Sequence, residues 1–174
     1  MTETSSEPLR PAIASFWRPL AVMAFAGTGG AICVGALELA AFFTQRPFWQ
    51  LPFITSIALI MGAPLSEPAS PQALIGGHLI SAVAGYVVLW LFGSSEWAAA
   101  VGVGLAIILM LRFRVFHPPA AVDAFLVVKQ ALALEYLFTV VLAGSVLLVA
   151  FAFVWQRLSD AIVARLSPAH GAKA

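Results

Sequence analysis

The sequence has few charged residues and a single cysteine. Charged residues make up 10% of the 174 positions, whereas they make up about 25% of a soluble globular domain. Nine Lys and Arg residues stand against eight Asp and Glu residues, for a formal net charge of +1. There is no basic run of the kind that binds nucleic acid, so we expect no nucleic-acid partner. Cys33 is the only cysteine, which excludes an intramolecular disulfide scaffold.

Signature motifs of enzymes are also missing. The sequence contains no G-x-S-x-G, H-E-x-x-H, P-loop or C-x-x-C motif, so it gives no indication of a hydrolase, metalloprotease, nucleotide-binding or thiol-redox site. The glycines of Gly27-Thr28-Gly29-Gly30 lie inside a long apolar run, where helix packing explains them better than phosphate binding does. We expect no enzymatic activity, no metal ion and no cofactor.

Long apolar runs dominate what is present. Apolar residues make up 61% of the chain, against about 45–50% in soluble domains, which predicts an all-α integral membrane protein. A spanning helix needs about 20 apolar residues, and four stretches predict transmembrane helices at about 20–43, 73–92, 97–116 and 136–155. A polar N-terminal tail, 1–19, and a polar C-terminal tail, 157–174, flank this membrane domain, 20–156.

Two shorter apolar segments are flanked by prolines, at about 53–62 and 118–128. Segments this short are better interpreted as half-helices or re-entrant segments than as spans. Thr55 and Ser56 can cap the first of them. The order of long helix, short segment and long helix occurs twice, which predicts a two-unit internal duplication. Interrupted segments at matching positions of two halves are typical of transporter binding sites.

The most specific string is His117-Pro118-Pro119-Ala120. Two prolines fix φ and lack N–H donors, so they break the chain between the third span and the second half-helix. His117 then lies at the N-terminal end of a new helix, where unpaired backbone N–H groups and the helix dipole favour an anion. A purely structural role, in which His117 caps the half-helix and the prolines break it, stays equally open.

Other polar residues in or beside the apolar segments are candidates with two interpretations each. Arg112 either turns inward and attracts an anion or anchors its helix at the lipid headgroups. His78 is a functional candidate because it is ionisable within a span, or else a neutral histidine bonded to a carbonyl. Asp123 is costly to bury unless it is paired or protonated. It either binds solute or forms a salt bridge with Lys129, Arg112 or His117.

Three motifs together resemble the HPP family of small integral membrane proteins. They are Gly62-Ala63-Pro64, Gly76-Gly77-His78-Leu79-Ile80-Ser81 and His117-Pro118-Pro119-Ala120, and the resemblance extends over roughly 48–153. It implies a four-span membrane protein, and cyanobacterial and plastid relatives are linked to nitrite transport. The chain departs from the commoner pattern at Ala121-Val122-Asp123, where relatives often have Gly-Ala-Thr or Gly-Ala-Asn. An acid there would repel an anion such as nitrite.

Together these observations predict a transporter or channel for a small monovalent anion, with nitrite implied by the family resemblance alone. The predicted substrate-binding residues are His117, Pro118, Pro119, Ala120, Arg112, Thr55, Ser56, His78 and Asp123. Two alternatives stay open. One is transport of a cation or a neutral solute through Asp123 and Glu38, and the other is a structural or regulatory membrane subunit without transport of its own.

The predictions of location and partners rest on charge asymmetry and small-residue faces. Five Lys and Arg residues on the side of both termini, against four on the other side, favour cytoplasmic termini in a cell inner membrane. Besides the lipid bilayer, we expect a second copy of the chain as partner, in a homo-oligomer and first of all a dimer. The small-residue faces that can pack within or between protomers are Gly77/Ser81/Gly85 and Ala98/Gly102/Ala106.

Overall fold

The computed structural model describes residues 10–47 and 51–166, with side chains described over 19–47 and 51–162. Within these ranges the chain forms six α-helices and no strand, which confirms the all-α prediction. The helices are α1, Arg10–Thr44; α2, Leu51–Gly62; α3, Pro71–Phe92; α4, Glu96–Arg112; α5, Ala121–Lys129; and α6, Ala143–Leu166. A short 3-10 turn precedes α3, at Glu67–Ala69, and another precedes α5, at Pro118–Ala120. A π-helical segment, Leu137–Leu142, leads into α6.

Proline, serine and glycine set the ends of the helices. Pro71 begins α3, where its missing N–H would have had no partner, and the Ser70 hydroxyl accepts a hydrogen bond from the Ala73 N–H at 3.2 Å. Ser95 caps α4 in the same way. These caps satisfy backbone donors that the first helical turn leaves open. After α3 comes Gly93, whose φ of 72° is a conformation that glycine adopts at low cost.

Three of the described helices are long and apolar enough to cross a membrane. They are Pro19–Thr44 within α1, Pro71–Phe92, and Leu137–Ile162, and they correspond to three of the predicted spans. The predicted span 97–116 differs, because α4 ends at Arg112 after 17 residues. Beyond it Arg114 takes a φ of 57°, which a continuing right-handed helix cannot contain. A fourth spanning helix therefore stays a prediction.

Helices also reach into both predicted tails. α1 begins at Arg10, inside the tail predicted for 1–19, and α6 continues to Leu166, inside the tail predicted for 157–174. Both extensions contain Ala and Arg, which have high helix propensity, so a polar composition did not end the helices. The remaining parts of the predicted tails, 1–9 and 167–174, lie outside the described residues.

Both short apolar segments are helical, but the predicted capping of the first one is wrong. α2 begins at Leu51, so Thr55 and Ser56 lie inside it and donate side-chain hydrogen bonds back to the carbonyls of Leu51 and Pro52. Pro52 takes the first-turn position instead. The order of long, short and long helices recurs in α4, α5 and α6, whereas an internal duplication stays a prediction.

Small residues bring α5 close to both α3 and α4. A Cβ at Gly85 would lie 2.9 Å from the Cα of Ala124 in α5, and a Cβ at Gly102 in α4 would lie 3.4 Å from a methyl of Val128. The two predicted small-residue faces therefore contribute to packing within one chain, and the oligomer stays a prediction. Most of the described side chains of α1, over 19–44, are exposed, as expected for an apolar helix that faces lipid.

Candidate functional site

Four buried polar side chains meet in the interior of the bundle. They are Ser56 from α2, His78 from α3, His117 from the connection before α5, and Asp123 from α5, and each is 0% exposed. We refer to these four residues as the buried cluster. Polar groups at such depth are costly unless they hydrogen-bond one another, and the cluster is built from such bonds.

Ser56 lies at the centre of the buried cluster. Its Oγ is 3.0 Å from Nε2 of His78, 2.8 Å from Nε2 of His117, and 2.6 Å from the carbonyl oxygen of Pro52. A hydroxyl has one hydrogen to donate, so Ser56 can donate to only one of these three acceptors at a time. If both imidazole contacts are hydrogen bonds, at least one histidine must donate to Ser56.

Each histidine has a second partner on its other ring nitrogen. His78 Nδ1 is 2.5 Å from Asp123 Oδ2, and His117 Nδ1 is 2.7 Å from the carbonyl oxygen of Pro68. A carbonyl only accepts, so His117 Nδ1 carries a hydrogen. Asp123 also hydrogen-bonds the Tyr136 side chain. The result is a continuous series of hydrogen bonds from the Pro68 carbonyl to Asp123 and Tyr136.

One carboxylate oxygen of Asp123 stands apart from this series. Among the residues that the structure describes, Asp123 Oδ1 has no hydrogen-bond partner, although it is buried. A buried oxygen of this kind usually has a partner or a functional explanation. It can accept a hydrogen bond when Asp123 is ionised, or donate one when the proton lies on this oxygen.

The His-Pro-Pro break brings His117 to α3. Pro118 and Pro119 form a 3-10 turn with Ala120, whose N–H donates to the His117 carbonyl at 3.0 Å. The turn brings His117 against Gly77, where a Cβ would lie 2.7 Å from the Cβ of His117. Only a glycine fits at this position without displacing the connection. The Gly-Gly-His and His-Pro-Pro motifs therefore meet in space.

Phe53 covers one side of the buried cluster. Its ring stacks on the His78 ring with centroids 5.0 Å apart and planes 28° apart, and it is 0% exposed. Gly144 leaves room for this ring, since a Cβ there would lie 2.6 Å from the Phe53 Cζ. Phe53 thereby covers one face of the His78 ring.

The structure brings together four of the nine predicted site residues, namely those of the buried cluster. The predicted residues Pro118, Pro119 and Ala120 act through the backbone, by shaping the turn after His117. Thr55 does not join them, because it lies on the exposed face of α2 and its hydroxyl bonds its own helix. Arg112 does not turn inward either. It is exposed at the end of α4, with its guanidinium carbon 6.0 Å from the Phe113 ring centroid.

The predicted partners of the carboxylates also need correction. Asp123 pairs with His78, whereas Lys129 donates a hydrogen bond to Glu96 at 2.6 Å. This ammonium holds the pKa of the exposed Glu96 carboxyl below its usual value. Glu38 is exposed on α1, where it lines an open surface pocket together with Arg46, so Glu38 and Asp123 do not form one site.

Sequence reasoning missed two members of the site. Pro68 contributes only its carbonyl oxygen, for which no side-chain pattern exists. Tyr136 begins an apolar run, a position typical of aromatic residues at the level of the lipid headgroups. In the structure it is only 8% exposed and hydrogen-bonds Asp123. Its position beside a buried acid depends on tertiary packing. Within the described ranges, no group of three or more His, Cys, Asp or Glu residues is arranged to hold a metal ion.

The order Asp123–His78–Ser56 has the connectivity of a Ser-His-Asp triad. Two features distinguish it from a hydrolase site. Ser56 is wholly buried in the middle of α2, and its hydroxyl also contacts a second imidazole. A nucleophile must reach its substrate and needs nearby donors for the developing oxyanion. The chemistry best suited to this arrangement is the sharing of protons and the hydrogen bonding of a small solute.

Known proteins with a similar sequence are transmembrane proteins. The family model for the HPP transmembrane region matches residues 17–163. A transmembrane protein of Dictyostelium discoideum is 35% identical over 101 residues, which cover 53% of this chain and 32% of that protein. Another from the same organism is 32% identical over 110 residues, covering 59% of this chain and 39% of that protein. The matches thus span under two fifths of either relative. No solved structure matches the chain.

Proposed function

This chain belongs to the HPP transmembrane family, and we propose that it carries a small monovalent anion across a membrane together with a proton. The observation that supports the proposal is the buried cluster, in which two imidazoles share one serine hydroxyl inside a helical bundle. Ionisable groups inside a membrane protein are characteristic of substrate and proton pathways. Burying such groups costs free energy that apolar side chains of similar size would not cost, so packing alone does not explain them.

The charge of the buried cluster explains why an anion would bind with a proton. When Asp123 and His78 share one proton between them and His117 is neutral, the cluster has no net charge. One further proton on His117 gives a charge of +1, which a monovalent anion neutralises. An anion without that proton would be buried without a counter-charge, which is strongly unfavourable in a low-dielectric interior.

The anion that we propose is nitrite, because relatives that resemble this chain are linked to it. The acid at position 123, which departs from the commoner pattern, argues against an anion only if it carries an isolated charge. Its Oδ2 lies 2.5 Å from His78 Nδ1, and a shared proton cancels the charge of this pair. A protonated His117 would then supply the counter-charge for nitrite.

A second candidate is a cation or a neutral solute that donates hydrogen bonds. The specific observation in its favour is the buried Oδ1 of Asp123, which has no partner within the described residues. An ionised carboxylate oxygen in this position can accept a hydrogen bond from a solute or bind a small cation. Glu38 does not contribute, so this candidate depends on Asp123 alone.

The proposal is tested by nitrite flux into proteoliposomes at alkaline pH, where leakage of neutral nitrous acid through lipid is small. We expect saturable flux in the wild type that is lost in His117→Ala, with the variant still helical and monodisperse. Arg112→Gln is the matched control, since the exposed Arg112 side chain lies outside the buried cluster. Flux equal to that of protein-free vesicles would contradict anion transport and favour another solute or a subunit role.

We also propose cytoplasmic termini in a cell inner membrane, and a dimer of this chain. The support for the orientation is the charge asymmetry of the sequence. Because Cys33 is the only cysteine, Cys33→Ser gives a protein without thiols, and a cysteine added at either terminus then reports its side through an impermeant maleimide. Labelling of intact, right-side-out cells would contradict the orientation. A monomeric mass in lipid nanodiscs would contradict the dimer.

A further inference from the structure

We propose that Ser56 is a proton switch between His78 and His117, through which the buried cluster moves one proton equivalent between Asp123 and His117. This inference rests on the proposed function, because it assigns the path of the transported proton. It is carried by the two Oγ–Nε2 distances of 3.0 and 2.8 Å and by the single hydrogen that a serine hydroxyl has to donate.

In the first state of the switch, every hydrogen bond points towards Pro68. The protonated Asp123 carboxyl donates to His78 Nδ1, and His78 Nε2–H donates to Ser56 Oγ. Ser56 Oγ–H has turned from the Pro52 carbonyl to donate to His117 Nε2, and His117 Nδ1–H donates to the Pro68 carbonyl. All four side chains are neutral in this state, so burial costs the least.

In the second state, three protons have each moved along one hydrogen bond. The Ser56 proton has gone to His117 Nε2, the His78 Nε2 proton has gone to Ser56, and the Asp123 proton has gone to His78 Nδ1. His117 is now an imidazolium, Asp123 is a carboxylate, and His78 is neutral in its other tautomer. No proton is gained or lost, and the total charge is still zero. The positive charge now lies at His117, and a proton that the Asp123 carboxylate takes up next gives the buried cluster the charge of +1 that a monovalent anion neutralises.

The serine is required because each transfer in this series needs an adjacent acceptor. No direct hydrogen bond joins the two imidazoles in the structure. Their ring centroids are 5.1 Å apart and their planes are tilted by 53°. Ser56 accepts from one imidazole and donates to the other, and the roles are reversed in the second state. The Pro52 carbonyl at 2.6 Å offers the hydroxyl a third orientation, in which the connection between the histidines is interrupted.

The series ends at two different places in the fold. On one side His117 Nδ1 contacts the carbonyl of Pro68, which is half-buried in the connection between α2 and α3. On the other side Asp123 meets Tyr136, and Tyr86 lies eight residues beyond His78, about 12 Å further along α3. Tyr86 donates to the Ala133 carbonyl at 2.7 Å. Polar groups therefore continue from the buried cluster towards the connection that follows α5.

The titratable groups that act on Asp123 are few. They are His78, Tyr136 and Tyr86, while the nearest charged residue of α5, Lys129, is exposed and paired with Glu96. Asp123 Oδ1, without a partner among the described residues, is the atom at which a proton can enter or leave this end. The proton path is thus confined to one series of side chains.

The test is nitrogen NMR of the full chain in lipid nanodiscs with ¹⁵N-labelled histidine. His78, His117 and His170 are assigned with single His→Gln variants. We expect the tautomer of His78 to change in step with the fraction of His117 that is an imidazolium as the temperature is varied at constant pH, because the two states contain the same number of protons. In Ser56→Ala this shared transition should separate into two independent ones. Thr55→Ala, which removes a neighbouring hydroxyl outside the buried cluster, should leave it intact.

Two further variants keep the test decisive if Ser56→Ala does not fold. Ser56→Thr retains a hydroxyl and should retain the shared transition. Ser56→Cys keeps the volume but replaces the hydroxyl with a weak hydrogen-bonding group, so it should abolish the transition. Independent changes of the two histidines in the wild type at constant pH would overturn the proton switch, as would a shared transition that persists in Ser56→Cys.

Flux measurements separate a failure of this inference from a failure of the proposed function. A pH gradient should accelerate wild-type nitrite flux, because the proton that moves with the anion is then driven in the same direction, and Ser56→Cys should remove most of the acceleration. A shared histidine transition without nitrite flux would leave the proton switch standing and contradict the proposed function. Nitrite flux without the shared transition would leave the function standing and contradict the switch.

Discussion

Gly77 lies directly against His117, with no room for a side chain between them. A Cβ at Gly77 would lie 2.7 Å from the Cβ of His117 and 3.0 Å from the carbonyl oxygen of Val115. The second contact is with backbone, which cannot rotate away as a side chain can. Gly77 therefore fixes how closely the connection before α5 approaches α3, and with it the position of the His117 imidazole.

We expect Gly77→Ala to reduce nitrite flux by about tenfold or more, because a displacement of about 1 Å at a site can cost far more than that. The added methyl should also destabilise the fold by about 1–3 kcal/mol, the usual cost of overpacking. Thermal unfolding and proteoliposome flux measure the two effects.

The matched control for this substitution is Gly104→Ala in α4. Nothing lies within 4 Å of a Cβ at Gly104, and alanine favours a helix over glycine by up to about 1 kcal/mol. We expect unchanged flux and an equal or higher unfolding temperature. Equal behaviour of the two alanine variants would contradict the close approach at Gly77.

Asp123→Asn separates the two candidate substrates. Asparagine has nearly the same shape, and its amide oxygen can accept a hydrogen bond from His78 Nδ1–H. If the protein carries an anion with a proton, nitrite flux should persist and its response to a pH gradient should fall towards zero. If it carries a cation at Asp123, the flux of that cation should collapse. Loss of nitrite flux in a well-folded Asp123→Asn variant would contradict the first assignment.

Much of the fold follows from composition and segment length. Apolar runs bounded by charges and prolines predicted the helical membrane class, and three of the predicted spans coincide with long apolar helices. The ends were harder to predict. Nothing in a window of apolar residues shows that Arg114 leaves the helical conformation, or that α1 and α6 continue into polar sequence.

The candidate site was predictable as a set of residues but not as a geometry. Ser56, His78, His117 and Asp123 stand out because polar residues are rare in apolar runs. Their pairing depends on how α3 and α5 lie against each other, and that register is set by the close approach of Gly85 to Ala124. Sequence alone could not distinguish these four from Arg112, which is exposed.

The surface pair of Lys129 and Glu96 predicts a pH dependence of stability. The pKa of the Glu96 carboxyl is lowered in the folded protein, chiefly because Lys129 donates a hydrogen bond to it. A carboxyl with a lower pKa in the folded than in the unfolded protein stabilises the fold at any pH above its unfolded-state pKa. This stabilisation is lost as the pH falls through the folded-state pKa. The pair is exposed, so the effect should be small and weakened by salt.

We therefore expect Glu96→Gln to lower the unfolding temperature slightly at pH 7 in low salt. The difference from the wild type should disappear as the pH falls below the usual range of a glutamate carboxyl. Thermal unfolding in detergent across this range measures it, with a repeat in high salt as the control. A difference that stays constant down to acidic pH would show that Glu96 acts through packing instead.

The triad-like connectivity of Ser56 predicts a negative result that separates proton sharing from hydrolysis. A fluorophosphonate labels serines that are activated by a histidine and open to the reagent. Ser56 is 0% exposed, and the N–H groups around it in the middle of α2 already donate within the helix, so none can stabilise an oxyanion. We expect no adduct on the intact protein by mass spectrometry, while a soluble serine hydrolase in the same tube is fully labelled. An adduct that forms on the wild type and is absent from Ser56→Ala would establish an accessible nucleophile, and would move the function of the buried cluster from transport to acyl transfer.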